Sequence, residues 1–373
     1  MKKEYFDYEN LKQAGRFHEK ALAVDYGKVI IQTFRPEDQG GKREISQNER
    51  DNFWNGGYDN SGGDFEEDIV GDHLSWLYDP IICSYHNFYE VPNNLVQIYE
   101  RIQNLDREQA NIDIIKIAVK SNEITDTISV WKLLEKYDSE KEDIKAEKLR
   151  KLETLEKKAG TSIPKPHEFL QLTPIAMGEA GKWTRILGLA HGAPLTYASL
   201  EEGNETAPGQ ISAKDLIEVY RVKELNKETE VYGVIGNPVS QSLSPYMHNA
   251  AFKHHEMNAV YIPFEVSNLD EFIKRMVRPE TREIEWNMKG FSVTIPHKEA
   301  IIKHLDFVDE SAKIIGAVNT VKIIDGKLHG FNTDAKGFIA PLLKKYPDLK
   351  NASVGIIGNG GAARACIYAL KKE

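Results

Sequence analysis

The sequence predicts an α/β protein in three consecutive parts, the first a parallel sheet or barrel and the other two smaller α/β units. Three observations predict this. Short β runs alternate with amphipathic stretches from residue 29 to about 220, the pattern of a parallel sheet or barrel. The polar run Lys223 to Glu230 separates that region from a second alternation over 231–350. From Val354 to Ala365 the chain reads as a strand, a glycine turn and a helix start.

Within the first part the predicted strands are Val29–Thr33, a weaker one near Phe65–Val70, Ile81–Ser84, Ile114–Val119, Leu170–Met177 and Leu195–Ala198. The count is six, and a (β/α)8 barrel needs eight. The stretch 138–158 holds seven acidic and seven basic residues with a thin apolar stripe at Ile144, Leu149, Leu152 and Leu155. Balanced charges at i,i+4 predict a solvated surface helix there. Residues 55–63 are polar and glycine-rich, hence loop. A helix over Ala213–Val222 precedes the polar run, which places the boundaries at 1–222, 231–350 and 351–373. The third part is too short for a complete nucleotide-binding domain, and the chain is expected to be truncated at both ends.

Composition narrows the function. The chain has 373 residues, 41% hydrophobic and 28% charged, as soluble globular proteins do. A net charge of −9 argues against a nucleic-acid partner held by phosphate contacts. The two cysteines, Cys83 and Cys366, lie far apart in predicted buried elements, which fits a reducing cytoplasm. No apolar run approaches a membrane span, and the N-terminus lacks the apolar stretch of a signal peptide. Neither Cys-x-x-Cys nor His-Glu-x-x-His occurs, so no metal site is expected. The pair His254-His255 reads as a helix-surface feature.

Several residues point to chemistry. Lys116 stands between Ile115 and Ile117 in a strand, where burying an ammonium is costly. Desolvation favours the neutral amine, which can attack a ketone to form an imine. His86, closing the neighbouring strand, is placed to act as general acid and base. Taken alone, a strand lysine more often points to solvent and a histidine is more often structural. Further on, Ser242 and Ser244 follow a strand tip and precede a helix that Pro245 can open. Hydroxyls and backbone N–H groups at a helix start suit a carboxylate. Gly358, Gly360, Gly361 and Ala362 would let the backbone approach a pyrophosphate at the next helix start. A small-acid site followed by a dinucleotide site suggests a dehydrogenase.

The first part resembles the type I 3-dehydroquinate dehydratases, which implies an incomplete (β/α)8 barrel over 1–222 with its first strands missing. Ser84-Tyr85-His86-Asn87-Phe88 resembles the catalytic-histidine motif, and Lys116-Ile117-Ala118-Val119 the imine-lysine motif. Thr33-Phe34-Arg35 with Gly40-Gly41 resembles a substrate-arginine loop. Gly178-Glu179-Ala180-Gly181 through Arg185, and Thr206 to Ile211, resemble the later substrate-binding segments. The resemblance implies that Lys116 forms an imine with the substrate ketone while His86 removes a C2 proton and helps expel the C1 hydroxyl as water. Arg35, Arg185, Thr206 and Gln210 would hold the substrate.

From 231 onward the chain resembles shikimate dehydrogenase. The segments that carry this are Gly236-Asn237-Pro238 with Ser242-Leu243-Ser244-Pro245, Ser292 to Lys298, Gly316 to Thr320, and Gly330 to Asp334. The resemblance implies that Lys298 donates a proton to a ketone and that Asp334 pairs with it. Ser242 and Ser244 would bind the carboxylate, and Thr294 and Asn319 the ring hydroxyls or the ketone. It also implies NADP as cofactor, held in the opening of a Rossmann domain. The expectation is therefore an enzyme converting 3-dehydroquinate to 3-dehydroshikimate and then to shikimate. Two alternatives stay open: a non-catalytic shikimate-binding remnant, and an active dehydratase with an inactive dehydrogenase half.

Overall fold

The computed structural model describes residues 31–33, 62–66, 81–108, 112–159, 170–199, 203, 205, 207–350 and 352–373. Arg35 and Thr206, and with them residues 34–61 and 200–202, lie outside the described residues. The chain divides into two compact units. The first comprises 1–86, 96–117 and 143–171; the second comprises 87–95, 118–142 and 172–373.

The N-terminal strands are β1 (Ile31–Thr33), β2 (Gly62–Glu66), β3 (Ile81–Asn87), β4 (Ile114–Lys120) and β5 (Gln171–Met177). They form one five-stranded sheet in chain order, with β1–β2 and β2–β3 parallel. Helix α1 (Leu95–Glu108) follows β3. Its apolar residues Leu95, Ile98, Tyr99 and Ile102 recur at helical spacing and are all buried. Strand β4 is isoleucine-rich and buried on both faces, as a strand of a covered parallel sheet is.

The charged stretch 138–158 is not a separate element. It continues a 33-residue helix, α2 (Thr127–Ala159). The first turns of α2 bury Ile128, Trp131, Leu134 and Tyr137. Farther along the apolar stripe thins to the half-buried Ile144 and Leu149, and most side chains between them are charged. Two of the charged pairs close at helical spacing, Lys136–Glu140 at 2.5 Å and Asp138–Lys141 at 2.8 Å.

The second unit holds α3 (Lys182–Leu187), α4 (Ala213–Glu218) and a six-stranded sheet. Its strands are β6 (Glu230–Gly236), β7 (Ala259–Glu265), β8 (Met288–Val293), β9 (Phe307–Val308), β10 (Thr320–Ile324) and β11 (Lys327–Phe331), in the order β7-β6-β8-β10-β11-β9. β6 is parallel to β7 and β8, whereas β10 runs antiparallel to β8 and β11. Helices α5 (Ser244–His254), α6 (Leu269–Phe272), α7 (Glu310–Ile315), α8 (Asp334–Lys345) and α9 (Gly361–Leu370) complete it. A run of tryptophans threads this unit: Trp131 to Trp183 at 4.6 Å, Trp183 to Trp286 at 5.2 Å, Trp286 to Phe264 at 5.4 Å between ring centroids. Two of the indoles are hydrogen-bonded: Trp183 donates to Thr127 Oγ1 and Trp286 to the Met276 carbonyl.

Several expectations are corrected. Leu195–Ala198 is not a strand; only the bridge Ser199–Ser212 forms nearby. The reason is Arg185, whose guanidinium takes the Tyr197 carbonyl while the Thr196 hydroxyl donates back to the Arg185 carbonyl, so these groups do not build a ladder. The weak strand expected near Phe65–Val70 overlaps a strand at Gly62–Glu66, and residues 67–70 lie outside the described residues. The helix expected over 213–222 stops at Glu218, because Arg221 turns left-handed at φ 52° to reach the Ala259 carbonyl. Residues 352–359 form no strand: Val354 is 50% exposed, Ile357 is fully exposed, and the segment joins no ladder among the described residues. An isolated strand has no stability of its own. Cys83 is buried as expected, but Cys366 is only half-buried.

Candidate active sites

Two sets of predicted residues are placed by these elements. In the first unit, His86 and Lys116 stand on β3 and β4, neighbouring strands of one sheet. Lys116 is 4% exposed, and its flanking residues Ile115 and Ile117 are fully buried on the opposite face of β4. An ammonium so enclosed is costly without compensating partners.

Arg185 and Gln210 belong to the second unit, and both are buried. Arg185 donates to the Tyr197 carbonyl at 3.3 Å, while its Nε meets no hydrogen-bond partner among the described residues. Desolvation brings this guanidinium down to about 10, so it stays cationic at neutral pH. A buried cation of this kind calls for an anion. Gln210 closes a turn onto Ala207, and that loop docks on Gly178 through Gly178 N–H donating to the Pro208 carbonyl. Glu179, Lys182, Ala207 and Gln210 line a shallow pocket beside it.

The second set converges tightly. Strand β8 runs into Thr294, then a turn carrying His297 and Lys298. Buried His297 anchors that turn by donating Nε2–H to the Val266 carbonyl at 2.7 Å. Thr294 N–H donates to the Ile235 carbonyl, and Asn237 N–H to the Ile295 carbonyl, so the ends of β6 and β8 are stitched together. Lys298 Nζ then reaches Asp334 at 2.6 Å. Asp334 opens α8, where the helix dipole favours a carboxylate.

Asn319 closes the arrangement. Its Nδ2 donates to Asp334 Oδ1 at 2.7 Å and its Oδ1 accepts from Thr333 N–H at 2.9 Å. Buried Asn332 donates to the Ala317 carbonyl, so both ends of this loop pair are pinned. An ammonium carries three donors, and Asp334 takes one, which orients the others. The set can hold a proton at Nζ and deliver it to an oxygen placed beside it.

Ser242 and Ser244 are half-buried at the start of α5, with Ser244 N–H donating to Ser242 Oγ at 3.3 Å. Sequence reading missed Thr333 and Asn332 as fixing groups. Both could have been read from their place before a helix start.

The glycine segment precedes α9. Gly358 adopts φ +124°, and a side chain at Gly360 would project into open space, which leaves room for a bound diphosphate above the helix start. Gly361 is needed for contact: a Cβ there would lie 2.8 Å from Ala317 Cβ and 3.5 Å from Lys298 Cβ. Arg364 on α9 is ion-paired with Glu299, the residue after Lys298. The residues present therefore fit a dinucleotide phosphate next to the lysine. Among the described residues no cluster of metal-ligating side chains occurs, and no helix is long and apolar enough to cross a membrane.

Both parts of the chain are similar to known proteins. Residues 13–146 and 157–227 match the family described as type I 3-dehydroquinase, and residues 234–321 match the shikimate dehydrogenase substrate binding domain. The chloroplastic bifunctional 3-dehydroquinate dehydratase/shikimate dehydrogenase of Arabidopsis thaliana is 32% identical, over 91% of this chain and 54% of its own length. The shikimate dehydrogenase (NADP(+)) of Aquifex aeolicus is 47% identical over 149 residues, 40% of this chain and 54% of its own. A solved structure of dehydroquinate dehydratase and shikimate dehydrogenase from S. pombe is 25% identical, covers 95% of this chain and 62% of that one, and has a TM-score of 0.36. The chain spans about half the length of the curated relatives it matches.

Proposed function

The chain belongs to the type I 3-dehydroquinase family, and from that premise we propose that it carries two consecutive steps, dehydrating 3-dehydroquinate to 3-dehydroshikimate and reducing the product to shikimate. The observation that supports this is the contrast between two lysines. Lys116 is enclosed in a buried strand, as an imine-forming amine requires; Lys298 is held charged-side out against Asp334, as a proton donor requires.

In the first step the Lys116 amine adds to the C3 ketone and water leaves, giving an imine. That imine draws electrons from C2, so His86 can remove the C2 proton. The C1 hydroxyl then departs as water with a proton returned by His86, and hydrolysis frees Lys116. Arg185, with Arg35, Thr206 and Gln210, would hold the carboxylate and hydroxyls. In the second step Ser242 and Ser244 would bind the carboxylate, with Thr294 and Asn319 on the ring oxygens. Lys298, fixed by Asp334, gives its proton to the ketone oxygen. NADPH, held by the backbone of Gly358, Gly360, Gly361 and Ala362, would supply the hydride. On this reading residues 1–222 are an incomplete (β/α)8 barrel, 231–350 a substrate domain and 351–373 the opening of a Rossmann domain.

A second reading keeps the dehydratase and makes the dehydrogenase half a shikimate binder without turnover. One observation favours it: the segment 352–359, which should form the first nucleotide-domain strand, is unpaired and exposed. A coupled assay decides. Enone absorbance rising on 3-dehydroquinate, followed by NADPH oxidation, is the expected result for two working sites. An enone rise alone selects the second reading. Neither signal from folded protein overturns both.

A further inference from the structure

Helix α9 grips the turn that carries Lys298. A Cβ built on Gly361 would lie 3.5 Å from Lys298 Cβ and 3.6 Å from Lys298 Cδ, so the helix rests on the lysine stem. One helical turn on, the Arg364 guanidinium is ion-paired with the Glu299 carboxylate. Positions 361 and 364 are neighbours on one helix face, so α9 meets the Lys298 stem and the Glu299 carboxylate side by side. Arg364 Nη1 also lies across Gly316, 3.4 Å from where a Cβ there would stand. The helix is seated by Ala365 and Ala369, which are buried in one cluster with Ile315, Ala317 and Ala335.

Three anchors hold residues 297–299. The His297 ring is bonded to the Val266 carbonyl, and Val318 N–H donates to the Lys298 carbonyl at 2.8 Å. The third is ionic, Arg364 with Glu299. Its side chains are 32% and 56% exposed, and a pair so exposed adds little stability. Its weight lies in where it leaves the charges. Lys298 Nζ is bound to Asp334 at 2.6 Å. Glu299 is the next residue along, and a free carboxylate there would compete for the same ammonium. Arg364 neutralises that carboxylate from the far side, on α9.

We propose that Arg364 is a positioning residue for the proton-donating lysine: by holding the Glu299 carboxylate it leaves Lys298 Nζ to Asp334 and fixes α9 to the turn that carries the lysine. This rests on the reading of Lys298 as the proton donor of a shikimate site. Arg364 acts through Glu299 and touches no reacting atom.

Trace acetylation of the full chain with acetic anhydride at low salt, read at Lys298 by peptide mass, tests this. Only the uncharged amine reacts, so the rate reports the charges around it. Arg364→Gln frees Glu299 to hold the ammonium and should slow labelling of Lys298 about threefold. Glu299→Gln leaves the guanidinium unpaired beside the lysine and should speed labelling about threefold. Arg364→Lys keeps the charge and should stay within about twofold of the unmodified chain. A merely structural role loosens the turn in both Gln variants, so faster labelling in both overturns the proposal, as does no change in either. Should Arg364→Gln not fold, an unchanged or slower rate in Glu299→Gln overturns it instead. Shikimate added to the unmodified chain should shield Lys298 from the reagent. With shielding present, a failed pair of variants overturns the clamp and leaves the site reading standing. Without shielding the site reading falls, and the proposal with it.

Discussion

At the residue scale the second site is a set of short bridges between loops that are distant in sequence. Lys298 and Asp334 are 36 positions apart, and Asn319 binds Asp334 and Thr333 at once. Lysine and aspartate were legible in the sequence because each stands in a motif at an element end. The bracing by Asn319 was not, since it depends on β10 and β11 returning as a hairpin beside β8. Asp334→Asn keeps the shape and removes the counter-charge of Lys298. The expected outcome is a fall in kcat for 3-dehydroshikimate reduction of about a hundredfold, with shikimate affinity changed by less than about threefold. Steady-state NADPH oxidation and calorimetry on the same preparation check it; an unchanged kcat would remove Asp334 from the proton-donating pair.

At the element scale, α2 and the turn before β8 are joined by charge. Glu283 accepts from Arg275 Nε at 2.5 Å and from Lys132 Nζ at 2.9 Å. The Arg275 and Lys132 hydrogen bonds hold the Glu283 carboxyl at about 2, well below its ordinary 4.5. The folded state therefore binds this proton more weakly than the unfolded chain. The stabilisation is full above about 4.5 and is lost as pH falls towards about 2. The site is a third exposed, which keeps the contribution below about 1 kcal/mol. Glu283→Gln should lower Tm slightly at pH 7, and the difference should fade across that acid window in thermal melts. A difference that persists at pH 2 would mean that packing, not charge, holds the clamp.

The glycine segment shows a second element-scale effect. Gly361 lets α9 lie against Ala317 and the stem of Lys298. Gly361→Ala overpacks this contact and should destabilise by about 1–3 kcal/mol. Denaturant melts read the loss, and shikimate affinity reads whether Lys298 has moved with it. A neutral substitution would place α9 farther from the lysine than the structure has it.

At the scale of the whole molecule, each lysine is served by its own sheet. Lys116 sits in the N-terminal sheet and Lys298 follows β8 of the other. Lys298→Ala should abolish reduction while leaving borohydride trapping of the substrate imine at Lys116 intact, read by peptide mass. Loss of both in that one variant would sink the two-site picture. The compact units do not follow the change of pattern at 223–230: residues 118–142 and 172–222 belong with the C-terminal sheet. The tryptophan run explains why, since Trp131 and Trp183 share a buried stack with Trp286.

The sequence by itself determined the α/β class, most strands of the first sheet and which residues are candidates for a chemical role. Periodicity, turn residues and motif order are local properties, so they are readable without coordinates. Only the tertiary structure decided that 195–198 and 352–359 are not strands and that 138–158 extends a longer helix. Each of these depends on a partner elsewhere in the chain: a ladder neighbour that is or is not there, or an arginine that takes a backbone carbonyl.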